Sequence, residues 1–227
     1  MSTQPQSPGG GHPDADAPCG GPAPARPRAR GGAGALLVAA PMRIEAALIS
    51  SASSWPSVRK TGMGPGRSRA AAGELRGAQG AAMLVLGFCG GLDSRSVPGE
   101  VIVAEEVYSA SDEGHAEQRV RCDLSDLLLA RLAGRGMKVR TGKVVCVARL
   151  ALGERRAQLH AGGAIAVDME SVWLASGAGA RPFGVVRVVL DSPEHELLRI
   201  RAAAGALRAA LALRRVAGAL HGWSPGV

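Results

Sequence analysis

The sequence predicts an α/β fold, a three-layer sandwich with a mixed, mainly parallel central sheet. Three observations point there. Short apolar stretches of strand length alternate with helical stretches from residue 35 to residue 220. The strand stretches are continuous apolar runs rather than alternating patterns, as in strands buried on both faces. Apolar residues make up 46% of the chain and aromatics only 3%, so Val, Leu, Ile and Ala must fill the core.

The elements follow in order. Residues 1–34 are rich in Pro, Gly, Ala and Arg and lack the apolar stretch of a secretory signal, so they are expected to be disordered. A domain is expected over residues 35–222. Ala35–Ala40 reads as a buried strand, residues 42–49 as a helical turn, and Ser50–Ser57 as a loop. Thr61–Gly66 is a glycine-rich turn before an Ala-rich helix at 67–78. Met83–Phe88 is a strand that ends at a Gly90-Gly91 turn. Glu100–Val107 is a strand, Leu124–Leu132 a helix, Lys138–Val147 a strand and 154–160 a short helix. Ala164–Val167 is a strand leading into a helix at 169–178. Phe183–Leu190 is the last strand, and Glu196–Leu220 a long helix.

Several function classes recede on composition. No apolar run reaches the roughly 18–20 residues of a membrane span. The cysteines, Cys19, Cys89, Cys122 and Cys146, form no CxxC pair, and no zinc spacing involves the histidines. They read as buried reduced thiols of a cytoplasmic protein. The net charge is +8, yet the basic residues are nearly all arginine; only Lys60, Lys138 and Lys143 are lysines. No aromatic platform accompanies them, so nucleic-acid binding is not expected. Peripheral contact with an anionic membrane stays open. Gly62-Met63-Gly64-Pro65-Gly66 lacks the GxGxxG spacing of a dinucleotide site.

Three acids stand where strands end. Glu45 follows the first strand, Glu170 follows Ala164–Val167, and Asp191 follows Phe183–Leu190. In such sheets ligands gather at the carboxyl ends of strands. Each acid alone could be a helix N-terminal carboxylate favoured by the dipole. Three at equivalent places beside glycine-rich segments suggest a site.

These segments resemble the nucleoside phosphorylase and nucleosidase family. Ala164–Glu170 (Ala-Ile-Ala-Val-Asp-Met-Glu) is similar to its Ala-Val-(Glu/Asp)-Met-Glu signature. Val185–Asp191 is similar to its Val-Val-Arg-x-x-Ser-Asp strand, with Leu190 in place of the serine. Gly87–Leu92 resembles its Gly-x-x-Gly-Gly-Leu segment, and Gly99-Glu100-Val101 the turn that follows. Thr61–Gly64 resembles its Ser-Gly-Ile-Gly turn, and Ala40–Glu45 the opening of the bacterial nucleosidase branch. The motifs run in the family's order over about residues 35–195.

The resemblance implies cleavage of the N-glycosidic bond of a purine nucleoside, by hydrolysis or phosphorolysis, with no cofactor and phosphate as a candidate co-substrate. Asp191 takes the place of the acid at purine N7, and Glu45 that of the base that activates water. Glu170 would grip the sugar diol, since a carboxylate accepts two such hydrogen bonds. Met169 would pack under the ribose or simply fill core. Gly64, Gly87 and Gly90 would let backbone approach the sugar or a phosphate, or serve as ordinary turns. Arg43 is either a phosphate ligand or a surface arginine. Val85 stands where phosphorylases often hold a second arginine. Leu150 would cover the base where the family has a phenylalanine. The stretch between Glu45 and Thr61 is shorter than usual and lacks room for the family's two extra strands.

The Asp-Met-Glu-Ser segment and the Arg/Ala/Leu-rich tail resemble the hopanoid-associated nucleoside phosphorylase group, which implies adenosyl-hopane as substrate. Family relatives assemble as homo-oligomers. The alternative reading is a non-catalytic purine-binding member, suggested by Leu190, the missing phenylalanine and the short 45–61 stretch.

Overall fold

A computed structural model describes residues 35–55, 57–110, 118–193 and 202–226. The N-terminal 34 residues, and residues 196–201 of the expected final helix, lie outside these. The described elements are β1 (Leu36–Ala40), α1 (Arg43–Ala52), β2 (Val58–Lys60), α2 (Pro65–Arg76), β3 (Ala82–Gly91), β4 (Val101–Ser109), β5 (Arg119–Arg121), α3 (Ser125–Ala133), β6 (Val139–Cys146), α4 (Glu154–Ala161), β7 (Ala164–Asp168), α5 (Ser171–Leu174), a 3-10 turn (Ala175–Ala178), β8 (Phe183–Asp191) and α6 (Ala202–Leu220).

The eight strands form one mixed sheet. β1 runs parallel to β2 and β3; β3 to β8, β4 to β6 and β6 to β7 are also parallel. β3–β7, β4–β5 and β4–β8 are antiparallel. Followed around, β3, β8, β4, β6 and β7 return to β3, so five strands close a ring. β1 and β2 extend it from β3, and β5 extends it from β4.

Side-chain alternation along the inner strands feeds two cores. Leu36, Val38, Leu84, Leu86, Val186 and Val188 pack with Ile49 of α1, Leu128 of α3 and Leu213 of α6. Their neighbours Leu37, Met83, Val85, Val185 and Val189 pack with Leu75 of α2 and Trp173 and Leu174 of α5. Burial of both faces is why these strands read as continuous apolar runs. On α6, Ala209, Leu213, Val216, Ala217 and Leu220 recur at helical spacing and are buried.

Five local points differ from the sequence reading. Residues 42–49 form more than a turn: α1 is a ten-residue helix that takes in part of the expected loop. The short 45–61 stretch also holds an edge strand, β2, whose ladder to β1 is only three residues long and carries no apolar run to announce it. β5 is equally short and charged, and went unforeseen for the same reason. Gly90-Gly91 is not a turn. β3 stays extended through it because Gly90 and Gly91 pair with Val167 and Ala166 of β7. A side chain at Gly91 would meet Ser96 Oγ at 2.7 Å, so the pair of glycines marks close packing. The expected helix at 169–178 divides into α5 and the 3-10 turn.

Candidate active site

β8 carries an arginine in the middle of its apolar run. Arg187 is fully buried. Its Nη2 lies 2.5 Å from Asp168 Oδ2 and 3.7 Å from Glu170 Oε2. Nη2 also donates to Ser171 Oγ at 2.9 Å, and Nη1 to the Phe88 carbonyl at 3.3 Å. Burial alone disfavours this charge. Asp168, Glu170 and Glu45 outweigh it and hold the guanidinium firmly charged.

Glu45 approaches the same centre from α1. Its position in the first turn lets Oε2 accept from the Met42 amide at 2.6 Å, closing the start of its own helix. Oε1 accepts from the Phe88 amide of β3, also at 2.6 Å. Only 1% of the residue is exposed. Burial pushes the carboxyl pKa up, against the pull of Arg187 and the two amides. Gly87 makes room for it: a Cβ there would lie 2.7 Å from Glu45 Cδ and 2.9 Å from Arg187 Nη1.

Glu170 comes from the end of β7. Its Oε1 accepts from the Gly64 amide at 3.1 Å. Gly64 precedes α2 with φ +84°, a left-handed conformation suited to glycine, and this turns its N–H toward the acid. Burial lifts the Glu170 carboxyl to about 7, opposed by Arg187 and assisted by Asp168 and Glu45.

Asp191 closes β8. It is buried and forms an ion pair with Arg156 of α4, Nη2 to Oδ2, at 2.7 Å. Gly90 of β3 is registered with both Val167 of β7 and Asp191 of β8. A Cβ on Gly90 would approach Arg156 Nη2 at 3.2 Å and Asp191 Oδ1 at 3.3 Å. Arg187, Asp168 and Asp191 all act on the buried thiol of Cys89, so the two parts of the site adjoin.

Of the residues read from sequence, the structure gathers Glu45, Gly64, Gly87, Gly90, Glu170 and Asp191 around Arg187 and Arg156. Met169 is half-buried against a third apolar cluster with Leu92, Tyr108 and Val145. Arg43 is exposed on the first turn of α1. Leu150 is 64% exposed. Sequence reasoning missed the roles of Arg187, Asp168 and Arg156. Arg187 had a signal: a charge inside a run buried on both faces demands acidic partners. Arg156 had none, since nothing in the sequence separates it from its half-buried neighbour Arg155.

No helix among the described residues is long and apolar enough to cross a membrane. Comparison with curated proteins gives no match. Solved structures share the fold. Futalosine hydrolase of Helicobacter pylori is similar at TM-score 0.70 and 14% identity, over 83% of this chain and 97% of that one. The 5′-methylthioadenosine/S-adenosylhomocysteine nucleosidase of Campylobacter jejuni is similar at TM-score 0.67 and 15% identity, over 82% and 99%. The S-adenosylhomocysteine nucleosidase of Streptococcus pyogenes, solved with 5-methylthiotubericidin, is similar at TM-score 0.65 and 17% identity, over 84% and 98%. Residues 55–217 match the sequence family described as the phosphorylase superfamily, and with most of the chain inside that match, this protein belongs to it.

Proposed function

We propose that this site hydrolyses the N-glycosidic bond of a purine nucleoside. The observation that carries the reading is the burial of Glu45 beside Arg187 and Glu170, at the carboxyl ends of β1, β7 and β8. Burial raises its proton affinity, which suits a base that must take a proton from water. Glu170 grips the sugar hydroxyls in its carboxylate form. Asp191, across Gly90, faces the departing base, and a proton held there at N7 makes the purine a competent leaving group.

Water is favoured over phosphate as the attacking group. Arg43, the arginine that phosphorolysis would use, is exposed, and position 85 is a buried valine. The substrate class is an adenine nucleoside with an apolar 5′ group, adenosyl-hopane included. Ile44 and Met63 support this: they are 59% and 47% exposed and stand next in the chain to Glu45 and Gly64.

The test is adenine release from adenosine, methylthioadenosine and adenosyl-hopane, with and without phosphate. Phosphate-independent release that falls ~10²–10⁴-fold in Glu45→Gln is the expected result. Release that requires phosphate overturns the hydrolytic reading. Adenine binding with no release from any nucleoside replaces it with a purine-binding role.

A further inference from the structure

We propose that the outward face of α6 docks on an anionic lipid bilayer. The helix buries its inner face against the sheet through Ala209, Leu213, Val216 and Leu220. Its opposite face is not uniformly polar. Leu207 and Leu211 are 61% and 52% exposed, although both are large apolar side chains. They stand four residues apart, so they lie one above the other on the helix surface. Helical spacing puts Arg214 beyond Leu207 on one side of this stripe, and Arg215 and Arg208 beyond Leu211 on the other. All three arginines are exposed. The helix itself holds no acid.

A second element extends the surface. The turn ahead of β4 packs on α6: a Cβ on Gly205 would meet Pro98 Cγ at 3.2 Å, and one on Gly99 the Arg208 carbonyl oxygen at 3.3 Å. Val97 of this turn is 49% exposed. Arg95, also exposed, lies 3.7 Å from the buried Asp93. The other charges around α6 leave the face basic. α1 brings an exposed Arg43 and a buried Glu45. α3 brings an exposed Asp126 together with Arg131, whose Nε donates to the Ala219 carbonyl. Residues 194–201 hold two acids and two arginines, which cancel in charge. Among the described residues, no carboxylate pairs with Arg208, Arg214 or Arg215.

Leucines set between arginines fit the margin of a bilayer. The leucines enter the boundary with the acyl chains, while the arginine stems lie along the apolar edge and their heads reach the lipid phosphates. Neither signal alone anchors a protein firmly, and this face carries both. A second copy of the same face fits badly, because the pairing would set arginines against arginines. A nucleic acid would engage the arginines and leave the leucines in water. The turn also brings this face to the candidate site. The Gly99 amide donates to the Val189 carbonyl at 2.8 Å, two residues before Asp191. A docked bilayer therefore lies near the rim at which a nucleoside with an apolar 5′ group would arrive. That consequence rests on the N-glycosidic reading; the docking does not.

The experiment is flotation of the full chain with vesicles of phosphatidylcholine, alone or mixed with phosphatidylglycerol. Wild type is expected to float with the mixed vesicles and not with the neutral ones, and to be released by added salt. Leu207→Ser with Leu211→Ser should lower the partition about tenfold or more. Arg208→Gln, Arg214→Gln and Arg215→Gln together should lower it by about fivefold for each charge removed. Turnover of a water-soluble nucleoside should be the same in all of them. If no nucleoside is turned over by wild type, the N-glycosidic reading falls and flotation still decides the docking.

Wild type that stays off the mixed vesicles overturns the proposal. So does binding that both sets of substitutions leave intact, which would place the contact elsewhere on the chain. Binding that needs the arginines but not the leucines, and that a DNA duplex competes away, replaces the bilayer with a nucleic acid. Should either variant fail to fold, Leu211→Cys in a Cys19→Ser background carries the test. Cys89, Cys122 and Cys146 are buried, so an environment-sensitive fluorophore labels position 211. Its emission is expected to shift to the blue on mixed vesicles, and unshifted emission overturns the proposal.

Discussion

Arg187 and Asp168 stand 2.5 Å apart with both side chains shut away from solvent, and the pair ties β8 to β7 at the level of the site. Ser171 at the start of α5 bonds to both residues, so the pair also fixes the element that follows Glu170. Removing one partner strands the others. Arg187→Met would leave Asp168 and Glu170 buried without their cation and is expected to cost roughly 3–5 kcal/mol. Arg187→Met combined with Asp168→Asn should recover part of that loss, because the stranded charge is then absent. Urea unfolding of the single and double variants measures both. Equal losses in the two would mean that the ion pair does not couple the strands.

Two glycines of the site separate steric need from conformational need. At Gly87 a Cβ would run into the Glu45 carboxyl and Arg187. Gly87→Ala must therefore displace Glu45 or open β3 from β8, at about 1–3 kcal/mol, and activity should fall with stability. At Gly64 no atom lies within 4 Å of a Cβ, but φ is +84°. Gly64→Ala should cost about 1–3 kcal/mol from the backbone alone, with its effect on activity confined to the amide that Glu170 accepts. Thermal melting and kinetics on both variants check this. An unchanged Gly87→Ala enzyme would show that Glu45 has room the structure does not give it.

The strands along the sequence were legible because β1, β3, β7 and β8 are buried on both faces and spell near-continuous apolar runs, whereas β6 is apolar and buried only over its last residues. β2 and β5 escaped because three-residue edge ladders need no such run. The acids Glu45, Glu170 and Asp191 were legible through motifs that sit at strand ends. The cations that neutralise them were not read. Arg187 was visible as a charge within Val185-Val186-Arg187-Val188-Val189 but was taken only as part of a pattern. Arg156 lies on a helix whose partner strand is 35 positions away, and pairing across such a distance is a property of the fold. Gly90-Gly91 misled because consecutive glycines more often bend a chain than let two strands approach.

The two exposed candidates give a contrasting prediction. Arg43→Ala and Leu150→Ala remove side chains that solvent largely surrounds, so each should change stability by no more than about 0.5 kcal/mol. For Arg43→Ala the phosphate response of adenine release should also be unchanged. For Leu150→Ala the expected change is in KM rather than kcat, since an apolar flank binds substrate and transition state alike. A large kcat loss in Arg43→Ala would restore phosphate to the reaction.

Glu170 makes both stability and substrate binding depend on pH near neutrality. Burial lifts its carboxyl to about 7, from an ordinary 4.5. The folded chain therefore holds this proton more tightly than the unfolded chain does. Below pH 4.5 both states carry it, and folding loses nothing. Between about 4.5 and 7 the unfolded state releases the proton first, so stability falls as pH rises; above 7 the loss is complete. Glu170→Gln, which never ionises, should flatten the part of the stability slope that it contributes in this window, leaving a slope of the same sign from Glu45. Binding runs the other way. Only the carboxylate accepts two hydrogen bonds from a diol, so KM for a nucleoside should drop as pH rises through 7. Urea midpoints at pH 4.5, 5.5, 6.5 and 7.5 and KM over the same range measure the two trends. Wild type and Glu170→Gln with parallel stability profiles would show that Glu170 is not the group that titrates.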